Sequence, residues 1–341
     1  MNNFIRIGTR SSALAVWQAK YVQNIIHSLG IKSELVLIDS KIDMELPLHE
    51  LGTQGIFTTE LDNALINKDI SIAVHSMKDV PTNLPDGIVN VFMPERGPYQ
   101  DVFVKKDSKN NYKKNIIVGT GSVRRKSQWL HKYPTHTTKN LRGNVPTRLK
   151  KLDDLEIDGI ILAKAGLERL NLFGKNCEVL DWMVPAPAQG AIVVSALESE
   201  TKLINELKKL NHNATSLCVK HEREFMKSLE GGCNSPIGAI SKIVGNKILF
   251  KGCVTEKDGH MQIEIEKEFN IETLHVGIIA AKEIIKKGAL KLLGTHDFST
   301  FRASNCNSSS PIKTIYKINI SKKNNLIKMR FVSKSFLKSQ V

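Results

Sequence analysis

Three groups of residues in this sequence have the types and spacing to do chemistry. Cys233 sits in LEGGCNSPIG, behind two glycines. Glycines carry no side chain to block approach, and an accessible thiolate is a strong nucleophile, although a lone loop cysteine is usually inert. HSMKDVP places Lys78 and Asp79 directly after a short apolar run. Asp79 there can act as a fixed negative charge that holds a donor or a developing cation, with a plain surface ion pair as the alternative. His75 reads as a packed strand residue. The third group is cationic: Arg10, Arg124, Arg125, Arg142, Arg148 and Arg169 lie in or beside predicted loops and helix starts. A guanidinium is a fixed fork of donors that matches a carboxylate, so several on converging loops suit a ligand with many carboxylates. Solvated surface arginines, worth little individually, are the competing reading. Arg124 and Arg125 follow a Gly-Thr-Gly-Ser turn at a helix start, where the backbone favours acids over cations; two cations there need an anion.

The elements that must position these groups alternate. FIRIGT, SELVLID and ISIAVHS read as strands, separated by helices from about Ser12 to Leu29 and over FTTELDNALIN. A second series follows: IIVGT, the helix VRRKSQWLHKY, the helix VPTRLKKLDD, GIILA and the helix AGLERLNL. This alternation predicts doubly wound α/β domains with largely parallel sheets. Ligands of such sheets bind at the carboxyl ends of strands. Arg10 and Ser12 follow the first strand; Ser76, Lys78 and Asp79 follow ISIAVHS; Ser122, Arg124 and Arg125 follow IIVGT. After Asn211 a helix leads into the GGC loop, and three extended runs and a further helix predict a smaller α+β domain.

Composition narrows the class. The 341 residues are 41% hydrophobic, enough for several cores, and no apolar run approaches the roughly 20 residues of a membrane span. The N-terminal stretch lacks a secretory pattern, so a cytoplasmic location is expected. None of the five cysteines lies in a CxxC pair and no Cys/His spacing fits zinc, so free thiols and no metal are expected. The net charge of +15 is uneven: from Gly294 onward nine Lys/Arg face one acid, leaving only +7 for everything before.

GTRSSALAVWQA, IAVHSMKDVP, GTGSVRR, LRGNVPTRL, ILAKAGLERL, PAPAQGA and LEGGCNSPIG occur in the order found in porphobilinogen deaminases (hydroxymethylbilane synthases), and the chain resembles that family from Ile5 to about Leu290. The resemblance implies a monomeric transferase of tetrapyrrole (haem) biosynthesis. Such an enzyme joins four porphobilinogen units head to tail with release of ammonia, on a covalently bound dipyrromethane, one per chain. It implies that Cys233 carries the cofactor by a thioether. Asp79 is implied as the catalytic residue, contacting pyrrole N–H groups and stabilising an electron-poor azafulvene. Lys78, Asp79, Thr120, Ser122, Arg124, Arg125, Arg142 and Gly143 are implied as cofactor-binding. Arg10, Ser12, Gln18, Ser76, Arg148, Arg169 and Gln189 are implied as substrate-binding. The fold implied is two periplasmic-binding-protein-like α/β domains, 1–94 with 191–211 and 95–190, and a smaller α+β domain, 212–290, that bears Cys233. The chain departs from the family pattern in GTQGIF for GGKGLF (Gln54 for lysine), in Ile42-Asp43 for the preceding GD, in GTGSVRR for GTSSLRR (Gly121 for serine), in LRGNVPTR for LRGNVGTR (Pro146), and in PAPAQGA for PAVGQGA.

Residues 291–341 do not fit that pattern. HDFSTFRA, SPIKTI and SFLKSQV resemble a fragment of a tRNA pseudouridine synthase, without the upstream motif that carries that family's catalytic aspartate. The alternative function is therefore an RNA-binding protein acting through this basic tail, without isomerase activity. A solute-binding protein without chemistry is a third reading, opposed by the GGC loop and the lack of an export signal.

Overall fold

The computed structural model describes residues 4–39, 58–107, 115–232, 235–293, 295–297, 312–323 and 326–333. Cys233, Cys306, Ile42, Asp43 and Gln54 lie outside the described residues.

The first series gives β1 (Phe4–Arg10), α1 (Ala13–His27), β2 (Lys32–Ile38), α2 (Thr59–Ile66), β3 (Ile72–Ser76), a 3-10 turn at Met77–Asp79 and β4 (Ile88–Phe92). The chain then crosses to β5 (Asp101–Lys105), β6 (Ile117–Gly119), α3 (Val123–Lys132), β7 (Thr137–Lys139), α4 (Val145–Asp154), β8 (Gly159–Ala163), α5 (Lys164–Arg169) and β9 (Cys177–Val179). It returns to β10 (Ile192–Leu197) and α6 (Thr201–Leu207).

The two resulting sheets share one plan. Their orders are β2-β1-β3-β10-β4 and β7-β6-β8-β5-β9. In each, three neighbouring strands run parallel and the fourth is antiparallel to both of its partners. That antiparallel strand is the first one laid down after a crossing, β5 in one sheet and β10 in the other. Each sheet is therefore completed by chain arriving from the opposite lobe, and the two crossing segments lie side by side, Gly97 N–H donating to Gly190 O at 3.3 Å. Gly190 has φ +88°, and a Cβ there would stand 2.6 Å from the Gly97 carbonyl oxygen, so only glycine lets the segments touch.

Both sheets are covered on two faces, as the βα alternation predicts. Ile5, Ile7, Ile72 and Val74 pack under α1 and α6, while Ala73 and Ile88 pack under α2. Val102, Ile160 and Leu162 pack under α4 and α5, while Phe103, Val118 and Ile161 pack against Trp129 of α3. Fully burying each such side chain contributes on the order of 2 kcal/mol.

The third unit comprises α7 (Asn213–Ser228), the antiparallel sheet β11 (Ile237–Val244), β12 (Lys247–Thr255) and β13 (Gln262–Asn270), then α8 (Val276–Lys286) and α9 (Ala289–Leu293). Beyond it, β14 (Thr295–Asp297), β15 (Ile312–Lys323) and β16 (Leu326–Ser333) form a separate antiparallel sheet in that order. Among the described residues no helix is long and apolar enough to cross a membrane.

Candidate functional site

Three of the site loops end in a helix that a side chain caps. Ser12 Oγ accepts from Ala15 N–H at the start of α1, and Ser122 Oγ from Arg125 N–H at the start of α3, both at 3.4 Å. Asn144 Oδ1 accepts from Thr147 N–H at 2.9 Å at the start of α4. Pro146 falls in that first turn, where no intrahelical partner is needed for its missing N–H, so this departure fits the local backbone. These caps satisfy orphan donors and fix the loops from which the functional side chains project.

Two adjoining cavities open at the carboxyl ends of the strands. Arg10, Ser12, Gln18, Thr58, His75, Ser76 and Asp79 line the first together with apolar residues of α1. The second lies between the lobes. One lobe contributes Leu14, Gln18, Ser76 and Lys78; the other contributes Arg125, Val145, Arg148, Ala163 and Arg169; the return crossing contributes Gly190 and Ala191. Gln18 and Ser76 line both cavities and are tied together, Gln18 Nε2 donating to Ser76 Oγ at 2.8 Å.

The charges are arranged to attract an anion. Burial, reinforced by the positive charges of Arg125 and Arg142, pushes Arg148 down to about 10. Burial does the same to Arg169, whose Nη2 donates to Gly190 O at 2.7 Å while its guanidinium stands 5.4 Å over the Trp17 ring. Burial also lowers Lys78, with Arg125 and Arg124 adding to the effect and Asp79 and Asp101 opposing it. Buried cations brought this close together make the place favourable to an anion. His75 is pushed down to about 4 by burial and by Arg10, so it is neutral near pH 7 and serves as a packed strand residue.

The paired arginines depart from the reading of the sequence. Arg124 and Arg125 do have an anion, but it is internal: Asp101, at the start of β5, is fully buried and lies 2.8 Å from Arg124 Nη1 and 2.8 Å from Arg125 Nη2. Burial alone would raise the Asp101 carboxyl; the two guanidinium charges and their hydrogen bonds, with one from Gln189, overcome this and hold it at about 2. Gln189 therefore faces Asp101 and Tyr99 O, at 3.0 and 2.7 Å, behind the cavity walls. Of the arginine pair only Arg125 lines the second cavity. Thr120 supports the turn, its Oγ1 accepting from Ser122 N–H at 3.2 Å. Gly143 O accepts from Arg148 Nε at 2.7 Å, and Arg142 Nε is buried with no hydrogen-bond partner among the described residues.

Comparison with known proteins decides the family. Residues 5–205 match the model "Porphobilinogen deaminase, dipyromethane cofactor binding domain", and residues 216–286 match the C-terminal domain of the same enzyme. The chain belongs to the porphobilinogen deaminase family. The porphobilinogen deaminase of Carboxydothermus hydrogenoformans is 40% identical over 305 residues, covering 86% of this chain and 97% of that one. That of Campylobacter hominis is 39% identical over 302 residues, covering 85% and 97%. Residues 289–341 match the model of a tRNA pseudouridine synthase, as the tail motifs suggest. Among solved structures, the methionine-binding protein MetQ gives a TM-score of 0.40 at 14% identity, over 62% of this chain and 90% of that one.

Within this family frame the thiols separate. Burial, with Glu264 adding, pushes Cys253 up to about 12, and burial with Glu222 raises Cys218, so both are inert packing residues. Of the residues flanking Cys233 in the sequence, Gly231 N–H donates to Met226 O at 2.9 Å, and Gly232 N–H to Ser235 Oγ at 2.9 Å.

The sequence reading missed Asp101, Arg96, Glu222 and Arg223. One signal for Glu222 was present. Cys218, Val219, Phe225 and Met226 form the buried stripe of α7, and Glu222 falls on it at helical spacing. A charge on an apolar stripe implies a buried partner.

Proposed function

We propose that this chain is a working deaminase. It joins four porphobilinogen molecules head to tail, each new carbon–carbon bond replacing a carbon–nitrogen bond with loss of ammonia, and water releases the linear tetrapyrrole. The observation that carries the reading is Asp79 on the wall of one cavity while Lys78, Arg125, Arg148 and Arg169 line its neighbour, with Gln18 and Ser76 shared. Every pyrrole brings an acetate and a propionate, so a growing chain accumulates the negative charge that this cluster lacks.

The donor set fits dipyrromethane: Arg142 Nε is buried with no hydrogen-bond partner among the described residues, and Arg148 feels the positive charges of Arg125 and Arg142, so carboxylates of the group suit this place. Cys233 is the proposed thioether anchor, with Lys78, Thr120, Ser122, Arg124, Arg125, Arg142 and Gly143 around the group. When bound, the cofactor supplies the pyrrole end to which monomers add. Asp79 has the remaining role, a fixed carboxylate accepting hydrogen bonds from pyrrole N–H and stabilising positive charge that develops on the incoming ring. Arg10, Ser12, Arg148 and Arg169 hold its carboxylates, and Gln18 with Ser76 orients it. The domain division that accompanies this reading, 1–94 with 191–211, 95–190 and 212–290, is supported by the two crossing segments.

Intact mass and turnover test the proposal together. The purified chain is expected to exceed its sequence mass by one dipyrromethane, to lose that excess in Cys233→Ser, and to form hydroxymethylbilane from porphobilinogen. A chain of sequence mass with no product would overturn it.

A further inference from the structure

Helix α7 carries two consecutive charged residues that serve different partners. Glu222 holds the crossing segments, whereas Arg223 reaches the turn that bears Lys78 and Asp79. Arg223 Nη1 donates to Val80 O at 3.0 Å and Met77 O at 3.3 Å, and Nη2 donates to Pro81 O at 2.6 Å. These carbonyls bracket Asp79. Val80 N–H closes the single 3-10 turn onto Met77 O at 3.3 Å and no helix continues it, so Arg223 ties the end of that turn to α7. Val219, one turn earlier on α7, packs with Met77 and Val80 in a shared apolar cluster. At its other end the turn is tied by Met77 N–H to Ala191 O at 3.0 Å. The backbone on both sides of Asp79 is therefore set by elements outside its own loop.

The same helix leads toward Cys233 in the sequence. α7 ends at Ser228, and Gly231 N–H bonds back to Met226 O. We infer that Arg223 is a positioning residue that fixes where Asp79 stands relative to Gly231, just past the end of α7 and two residues before Cys233, with α7 as the strut between them. The inference rests on the deaminase reading above. Arginine suits the task because its planar fork serves several carbonyls at once, which the compact ammonium of lysine does not. A displacement near 1 Å at a reacting centre can cost about 100-fold in rate.

The test uses the full chain as parent, Arg223→Ala, Arg223→Lys, Asp79→Asn and the Arg223→Ala/Asp79→Asn double variant. Intact mass, urea midpoint, kcat and KM for porphobilinogen are measured for each. In Arg223→Ala the expected result is full cofactor mass, KM within about twofold and kcat reduced by at least about tenfold. Arg223→Lys recovers part of the loss. In the Asp79→Asn background Arg223→Ala costs little more, because Arg223 acts through Asp79. Three results would overturn the inference: parental kcat in Arg223→Ala, an equal fold-loss in the Asp79→Asn background, or a loss that tracks incomplete cofactor mass. If Arg223→Ala does not fold, Arg223→Gln is read by the same criteria. A parent without cofactor mass or product marks failure of the deaminase reading itself.

Discussion

Arg96 and Glu222 form a two-pronged ion pair, Nη1 to Oε1 at 2.6 Å and Nη2 to Oε2 at 3.0 Å, with the carboxylate fully buried. Arg96 belongs to the outgoing crossing segment. Glu222 also accepts from Ala188 N–H of the return segment at 2.6 Å and from Ser241 N–H of β11 at 2.9 Å. One carboxylate thus joins both crossings to the third unit. Removing its charge leaves the largely covered Arg96 guanidinium without its counter-charge; breaking a buried pair typically costs about 3–5 kcal/mol. Glu222→Gln is expected to lower stability by that order, read as a fall in urea midpoint. An unchanged midpoint would show that the pair bears no load.

Asp101 predicts an acid limb of stability. Its carboxyl sits at about 2 in the fold, below the roughly 3.9 of an unfolded aspartate. A group depressed on folding contributes fully above the unfolded value, and its contribution falls as pH drops from about 4 toward 2. The amount is on the order of 2 kcal/mol. Urea midpoints measured between pH 6 and pH 2.5 are expected to fall mainly below pH 4, and Asp101→Asn should flatten this limb while lowering stability at neutral pH. The same steep limb in Asp101→Asn would assign it to other carboxylates.

Gly121 turns a family comparison into a local prediction. A Cβ at this position would stand 2.6 Å from the backbone oxygen of Leu141. Leu141 immediately precedes Arg142 and Gly143, so the turn before α3 is packed against the loop of the proposed cofactor residues. Restoring the serine usual in the family, Gly121→Ser, is expected to destabilise this chain by about 1–3 kcal/mol, the range for overpacking. It should also weaken cofactor retention, read as a smaller fraction of the loaded mass. Parental stability and loading would mean that the Leu141 loop yields without cost.

Much of the fold and part of the site were legible in the sequence for identifiable reasons. β1 and β3 end in the polar residues Arg10 and Ser76, β8 is a short apolar run, and α1, α3 and α4 open on Ser12, Ser122 and Asn144, so strand ends and helix starts announced themselves. The antiparallel strands β5 and β10 did not. Their place depends on chain crossing from the other lobe, a non-local event that no window of sequence encodes. Arg124 and Arg125 were visible as cations in need of an anion, but Asp101 is more than twenty residues away and opens an ordinary apolar strand. Arg223 was invisible for a similar reason. Its partners are backbone carbonyls, which carry no residue signature.

The boundary between the two resemblances falls at the start of α9. The pseudouridine-synthase match begins at residue 289, yet Ala289 and Leu290 are buried in the core of the third unit, and Leu292 and Leu293 pack against it. Among the described residues β14, β15 and β16 pair only with one another and share no sheet with β11–β13. Two truncations should therefore behave differently. A chain ending at Leu293 is expected to keep the parental urea midpoint and deaminase turnover, because the described strands it loses belong to a separate sheet. A chain ending at Gly288 also loses the apolar face of α9 and opens the core above Ile284. Removal of a buried leucine side chain alone costs about 2–5 kcal/mol, and a drop of at least that order is expected. Equal stability of the two truncated chains would place the end of the deaminase fold before α9; a drop already at Leu293 would make the tail sheet part of it.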